Sequence, residues 1–137
     1  MARGQAPVQT GAHLPARTVV RLTRRPQFLF VRGGTTVRKK TLLVQARRRN
    51  AAGQEQIVAD KIGAGFTATK KIGNAVARNR AKRRLRAGAD ALLPRLGVAG
   101  IDYVFIARMG TGRVEWASLL DDMESALVSL GHSFAED

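Results

Sequence analysis

Between Lys70 and Arg86 the chain reads KKIGNAVARNRAKRRLR, and eight of those seventeen residues are lysine or arginine, with no acid among them. Side chains of this type at this density suit one chemistry, the gripping of phosphates on a polyanion. An arginine fork meets phosphate oxygens two at a time, and lysine adds a compact point charge. On a helix, Arg78, Lys82 and Arg86 fall near one another, Arg80 and Arg84 share a second line, and Asn79 and Arg83 lie between them. The run Arg78-Asn79-Arg80 places an amide between two cations. The arginines can then hold a backbone while the amide reads a base edge or a 2′-hydroxyl. Asn74 is the expected N-cap of this helix, where free backbone amides and the positive dipole end also favour an anion. Lys70 and Lys71 stand just upstream. A solvated surface normally mixes both signs of charge, whereas residues 61–89 hold nine cations and no acid.

A helix so charged needs a seat. Ala77, Ala81, Leu85, Ala89 and Leu92 recur every three or four residues as one narrow apolar stripe, wide enough to lay the helix on a sheet. Gly88 and Pro94 predict that the helix weakens or ends near them. Ahead of it, Ile57 to Thr69 reads as strand, broken by Gly63 and Gly65. Those glycines signal a bulge, a turn between two short strands, or close backbone approach. Val37 to Arg47 reads as one strand with a basic start, Arg38-Lys39-Lys40, and Arg48 to Gln56 as turn or loop. Thr23 is the expected N-cap of a short helix, about Arg24 to Arg32, with Pro26 in its first turn and Gly33-Gly34 at its end. Beyond the basic helix, Ile101 to Met109 is a continuous apolar strand. Trp116, Leu119, Leu120, Met123, Leu127 and Leu130 mark an amphipathic helix closed by Gly131. Trp116 opens that stripe and is expected in the core. Asp121, Asp122 and Glu124 fall on the opposite face, expected to be solvated. The order helix, strands, helix, strand, helix predicts an α/β or α+β layer, one small sheet with three helices packed on it.

The chain's 137 residues fit one domain. Residues 1–18, with Gly4, Pro7, Gly11 and Pro15, read as a disordered arm, residues 19–132 as a single RNA-binding domain, and residues 133–137 as a tail. The absence of cysteine excludes a disulfide framework, a thiolate zinc site and a cysteine nucleophile. It also agrees with a cytoplasmic location. No stretch approaches the roughly 20 apolar residues of a membrane span, and Met1 to Thr18 has no apolar core of a secretory signal, so no membrane partner is expected. Net charge is +14, and its distribution is more telling than its size. Residues 1–60 carry 12 Lys/Arg and 2 acids, while residues 90–137 carry 3 Lys/Arg and 8 acids. So segregated a charge is what a face built for phosphates requires.

Other chemistries find thinner support. His13 lies in the arm and His132 follows the last helix, neither with a partner nearby in sequence. No Cys/His cluster suggests zinc, and no metal-binding residue is proposed. Asp60 and Asp102 flank the sheet region and are expected in salt bridges or turns, not as an acid/base pair. Gly63-Ala64-Gly65 lacks the lysine of a phosphate loop. No catalytic residue is assigned.

The segment KKIGNAVARNRAKRRLR closely resembles the arginine-rich signature of the bacterial ribonuclease P protein family. In that family a Lys-Lys, a Gly-Asn, an Ala-Val, an Arg-Asn-Arg and a Lys-Arg follow in the same register, here Lys70, Lys71, Gly73, Asn74, Ala75, Val76, Arg78, Asn79, Arg80, Lys82 and Arg83. Gly65-Phe66-Thr67-Ala68-Thr69 is similar to the family's strand leading into the signature. Asp102-Tyr103 with Ile106-Ala107-Arg108 is similar to its last strand, and Gln27-Phe28 with Val31 to its first helix. The resemblance covers about Leu22 to Leu130. It implies an α/β sandwich with a small mixed sheet and a left-handed strand–helix–strand crossover, against the general handedness rule.

It further implies a ribonucleoprotein endonuclease that hydrolyses precursor tRNA to remove its 5′ leader. The catalytic RNA would do the chemistry with magnesium held mainly by RNA, and no obligate protein partner is expected. Two RNA surfaces follow from the resemblance. The basic helix and the residues before it (Lys70, Lys71, Asn74, Arg78, Asn79, Arg80, Lys82, Arg83, Arg84 and Arg86) would meet the catalytic RNA. A cleft between the first helix and the sheet would hold the single-stranded leader, with Phe28, Arg32, Gln45, Arg47, Thr67, Thr69 and Lys71. Two positions depart from many members. Arg32 stands where a second aromatic is common, and Gln45 where a tyrosine is common. Base stacking would then rest mainly on Phe28, which is read as a core residue, a stacking residue, or both. A ribosomal or rRNA-binding assembly protein shares the charge but lacks a substrate cleft. A protein-only nuclease needs a carboxylate cluster, and the basic half of the chain offers only Glu55 and Asp60.

Overall fold

The computed structural model describes residues 18–50 and 60–135. The expected arm, except Thr18, and most of the loop before the glycine-containing strand lie outside these residues. Five strands form one mixed sheet in the order β1-β4-β5-β3-β2. They are β1 (Val19–Arg21), β2 (Thr35–Arg38), β3 (Leu42–Arg48), β4 (Ile62–Thr67) and β5 (Ile101–Ala107). Three helices accompany them: α1 (Arg25–Arg32), α2 (Ala75–Leu96) and α3 (Trp116–Ala135). β1, β4 and β5 run parallel, while β3 is antiparallel to both β5 and β2. α2 connects β4 to β5, which pair side by side with Phe66 opposite Phe105. This is the α+β sandwich that the element order predicts.

β5 lies at the centre of the sheet, and all but one of its residues are buried. Elements cover both its faces, which is why it reads as an unbroken apolar run instead of an alternating one. One face, with Leu42, Val44, Ile62, Tyr103 and Phe105, packs against the stripes of α2 and α3 to form the main core. The other face carries a smaller cluster of Leu22, Val31 and Val104 beneath α1.

Several boundaries differ from the sequence reading, most of them for a tertiary reason. The predicted single strand Val37 to Arg47 is a hairpin, β2 and β3, turned at residues 39–41. No glycine or asparagine marks this turn. It is held from outside instead, by Asp122 of α3, whose Oδ2 accepts from Thr41 Oγ1 at 2.8 Å, and by Thr111, whose Oγ1 donates to the Thr41 carbonyl at 2.6 Å. Asp122 is therefore engaged, while Asp121 and Glu124 are exposed. Gly63 and Gly65 neither break β4 nor bulge it; they allow close approach. A Cβ on Gly65 would lie 2.6 Å from the Phe28 ring, and one on Gly63 would strike Asp102. The N-cap of α1 is Arg24, not Thr23. The Gln27 side chain accepts from the amides of both Thr23 and Arg24 at 2.9 Å, which satisfies donors a helix start leaves free. The short β1 was not expected at all; three residues carry too little pattern to read. β5 stops at Ala107, two residues short of Met109.

α2 passes Gly88 and ends two residues after Pro94. Gly88 is a contact point, because a Cβ there would lie 2.5 Å from Met123 Sδ of α3. α3 runs through Gly131 to Ala135, past the predicted stop, because Phe134 is buried against the core. Trp116, expected inside, is 41% exposed.

Candidate nucleic-acid interface

α2 is aimed before it begins. β4 delivers the chain to a 3-10 turn, Lys70–Ile72, that leaves Lys70 and Lys71 exposed. Gly73 then takes a φ of 139°, a conformation that favours glycine, and redirects the backbone. Asn74 caps the helix, its Oδ1 accepting from Ala77 N at 2.9 Å. That cap fixes where α2 starts and therefore which way each later cation points. Ala81, Leu85, Gly88, Ala89, Leu92 and Leu93 are buried. Half of these are small, Ala81, Gly88 and Ala89, so α2 sits close to the sheet and to α3 there while most of its circumference stays outside.

The six cations between Arg78 and Arg86 divide into three groups. Arg80 and Arg84 flank the β5–α3 loop and are bonded to it. Arg80 Nε donates to the Gly112 carbonyl at 2.8 Å, and Arg84 donates to the carbonyls of Thr111 and Val114 at 2.7 and 2.6 Å. Arg86 turns to the opposite flank, where its guanidinium lies 6.0 Å from the Phe66 ring centroid. Arg21 of β1 lies 5.6 Å from that same ring. Arg78, Lys82 and Arg83 form the third group, with Asn79 on their line. Asn79 and Arg83 are exposed, and Arg78 and Lys82 are half-buried. Among the described residues no carboxylate pairs with any of these three.

On the other face of the sheet the strand register brings together a floor beside α1. Leu43, Ile106 and Thr67 form one row across three strands, and Gln45, Val104 and Gly65 the next. The Phe28 ring rests on Gly65 and packs with the small core cluster, so it is half-buried. Gln45 and Thr67 are half-buried, while Arg32, Thr69 and Lys71 are exposed. Arg47 is committed within the protein. Its Nη1 donates to the Phe30 carbonyl at 2.9 Å, and its guanidinium stacks 4.3 Å from the Phe30 ring centroid. Phe30 was missed in the sequence because it falls off the predicted stripe of the short helix. The pairing of β2 with β3 also sets Arg38 beside Leu43 on this face, a cation that a single-strand reading could not place there.

Next to this floor, Asp102 is fully buried and pairs with Arg49 at 2.5 Å. Burial raises its carboxyl above the ordinary carboxylate range, and the hydrogen bond and charge of Arg49 offset this only in part. This pair is the salt bridge expected of Asp102, while Asp60 is exposed and His132 solvated. Among the described residues no three His, Asp or Glu side chains gather as a metal cage needs. No helix there is long and apolar enough to cross a membrane.

Comparison with known proteins agrees with this geometry. The family model described as Ribonuclease P matches residues 17–131. The ribonuclease P protein component of Caulobacter vibrioides is 48% identical over 110 residues, covering 80% of this chain and 70% of that protein. The corresponding protein of Ruegeria pomeroyi is 44% identical over 110 residues, covering 80% of this chain and 84% of its own length. Among solved structures, the RNase P protein from Thermotoga maritima superposes with a TM-score of 0.65 at 23% identity, covering 80% of this chain and 96% of that one. The Staphylococcus aureus RNase P protein gives a TM-score of 0.62 at 23% identity, covering 78% and 91%.

Proposed function

The chain belongs to the ribonuclease P protein family, and from that premise we propose that it works as the RNA-gripping subunit of a ribonucleoprotein endonuclease that trims the 5′ leader from precursor tRNA. The observation that carries this reading is the outer line of α2. Arg78, Asn79, Lys82 and Arg83 stand on a capped helix, with no carboxylate among the described residues neutralising the cations. Self-repulsion makes such a line costly to keep, and a phosphate backbone compensates it.

The catalytic RNA is the partner of this face, together with Lys70 and Lys71 at its start. The floor of Gln45, Thr67 and Ile106 beside Phe28 receives the unpaired leader. Phe28 offers part of its ring for stacking while anchoring α1, and Arg32, Arg38, Thr69 and Lys71 supply charge and hydrogen bonds at the rim. Arg47 contributes indirectly, by fixing the C-terminal end of α1. Magnesium would be held by the RNA and would supply Lewis-acid chemistry there; this chain's residues bind, orient and screen repulsion between two RNAs. An rRNA-binding assembly role accounts for the charge but not for the family.

Reconstitution tests the reading. Added to a bacterial ribonuclease P RNA at low magnesium, the protein should restore cleavage of precursor tRNA and bind longer leaders more tightly up to the length of the cleft. If about six cations meet phosphates, affinity should fall with salt along a log–log slope of about −4 to −5. Cleavage by the protein without RNA, or binding indifferent to salt, overturns it.

A further inference from the structure

Trp116 is the chain's only tryptophan, and it lies at the first turn of α3 with 41% of its surface open to water. Its helical spacing predicts a place in the core, yet the indole lies on the rim of a groove of about 320 Å³ lined by Arg80, Arg83, Arg84, Ala87 and Trp116. A volume of this order falls at the lower end of what a small flat ligand occupies, about 300–1,000 Å³. Among the described residues no acid lines the groove, and three of the five that do are arginines of the basic helix. Arg84 lies 5.8 Å from the ring centroid and is bonded to the carbonyls of Thr111 and Val114. Its two bonds tie the loop leading into α3 to α2, and so hold the indole where it is. Arg80 is engaged through Nε only, and Arg83 has no polar partner among the described residues.

An exposed indole walled by guanidinium groups is a poor seat for protein alone and a good one for a nucleotide. Each base offers a π-face to an aromatic ring, and each phosphate offers oxygens to an arginine. We propose that Trp116 is a stacking platform for an unpaired base of the partner RNA, with Arg83 and the free end of Arg80 holding the adjoining phosphates and Arg84 serving as a positioning residue. The proposal deepens the RNA-gripping reading of α2 and rests on it. It extends the RNA face from the helix across to the start of α3, a surface that the arginine-rich signature does not include.

Because the indole is the sole tryptophan, the intact protein reports on the site without alteration. Titration with a bacterial ribonuclease P RNA transcript should quench Trp116 fluorescence saturably, along the same curve as filter binding. Trp116→Ala should weaken RNA binding about tenfold. Trp116→Phe, measured by filter binding, should keep most of the affinity. Trp116→Leu, which preserves apolar bulk but no ring, should not. Emission that stays unchanged while RNA saturates the protein overturns the platform, as does a Leu variant that binds as well as the Phe variant. Either result leaves the wider reading standing, provided the same wild-type protein still restores cleavage. Failure of the wild type to bind RNA at all removes both.

Discussion

α2 and α3 lie on the same face of the sheet, are 22 and 20 residues long, and each buries one stripe, yet they present opposite chemistry to solvent. α2 carries seven Lys/Arg and a single acid, while α3 carries three acids and neither Lys nor Arg. Packing does not demand that difference. Burial dictates one stripe of each helix, and the remaining circumference is free to serve a partner. α2 also sets three small residues, Ala81, Gly88 and Ala89, among the leucines of its stripe, where α3 sets one, Ala126, among Leu119, Met123, Leu127, Leu130 and Phe134. The pair therefore divides labour: α3 supplies bulk to the core, and α2 supplies a flat, rigid carrier for charge.

The two helices should differ most at the outer line of α2. Replacing Arg78, Lys82 and Arg83 together with alanine should cost at least a hundredfold in RNA affinity at moderate salt and reduce the log–log salt slope by about three, with little change in melting temperature. Filter binding across a salt series, beside circular dichroism, checks both halves. The stripes should behave alike in the two helices. Leu85→Ala in α2 and Leu127→Ala in α3, both fully buried, should each cost about 2–5 kcal/mol in denaturant unfolding. A large asymmetry between them would mean that α2 is not seated by its stripe. Asn74→Ala removes the cap that fixes where α2 starts. It should cost about 1 kcal/mol of stability and weaken RNA binding by more than its stability loss explains, because the cations lose their aim. The smallest effect belongs to the acids. Asp121→Asn with Glu124→Gln should leave stability and RNA affinity nearly unchanged, because both side chains are exposed. Asp122→Asn should instead loosen the β2–β3 turn that it holds through Thr41.

Local signals were strong where a single element carried them. The basic helix, its Asn74 cap, the central apolar strand and the last amphipathic helix are all legible as periodicity or punctuation. Signals failed where two distant segments share the work. The turn at Lys39-Lys40-Thr41 contains no turn-forming residue, because Asp122, Thr111 and Arg108 hold it from 69 to 81 residues away. Gly131 looks like a helix stop, but Phe134 finds a place in the core beyond it. Trp116 fits the helical stripe by spacing, yet it lies at the helix's first turn beside the arginines of α2, where the core has already ended.

The sequence alone determined that this chain carries an uncompensated cationic helix, and hence what class of partner it serves, because charge and period are properties of one segment. Tertiary structure alone decided which cations remain free. In sequence Arg80 and Arg84 read as equals of Arg78 and Arg83, and Arg47 as a residue of the leader cleft, but carbonyls from the β5–α3 loop and from α1 engage them. A guanidinium's partners are set by what folds beside it, and neighbours in space are not written in neighbouring residues.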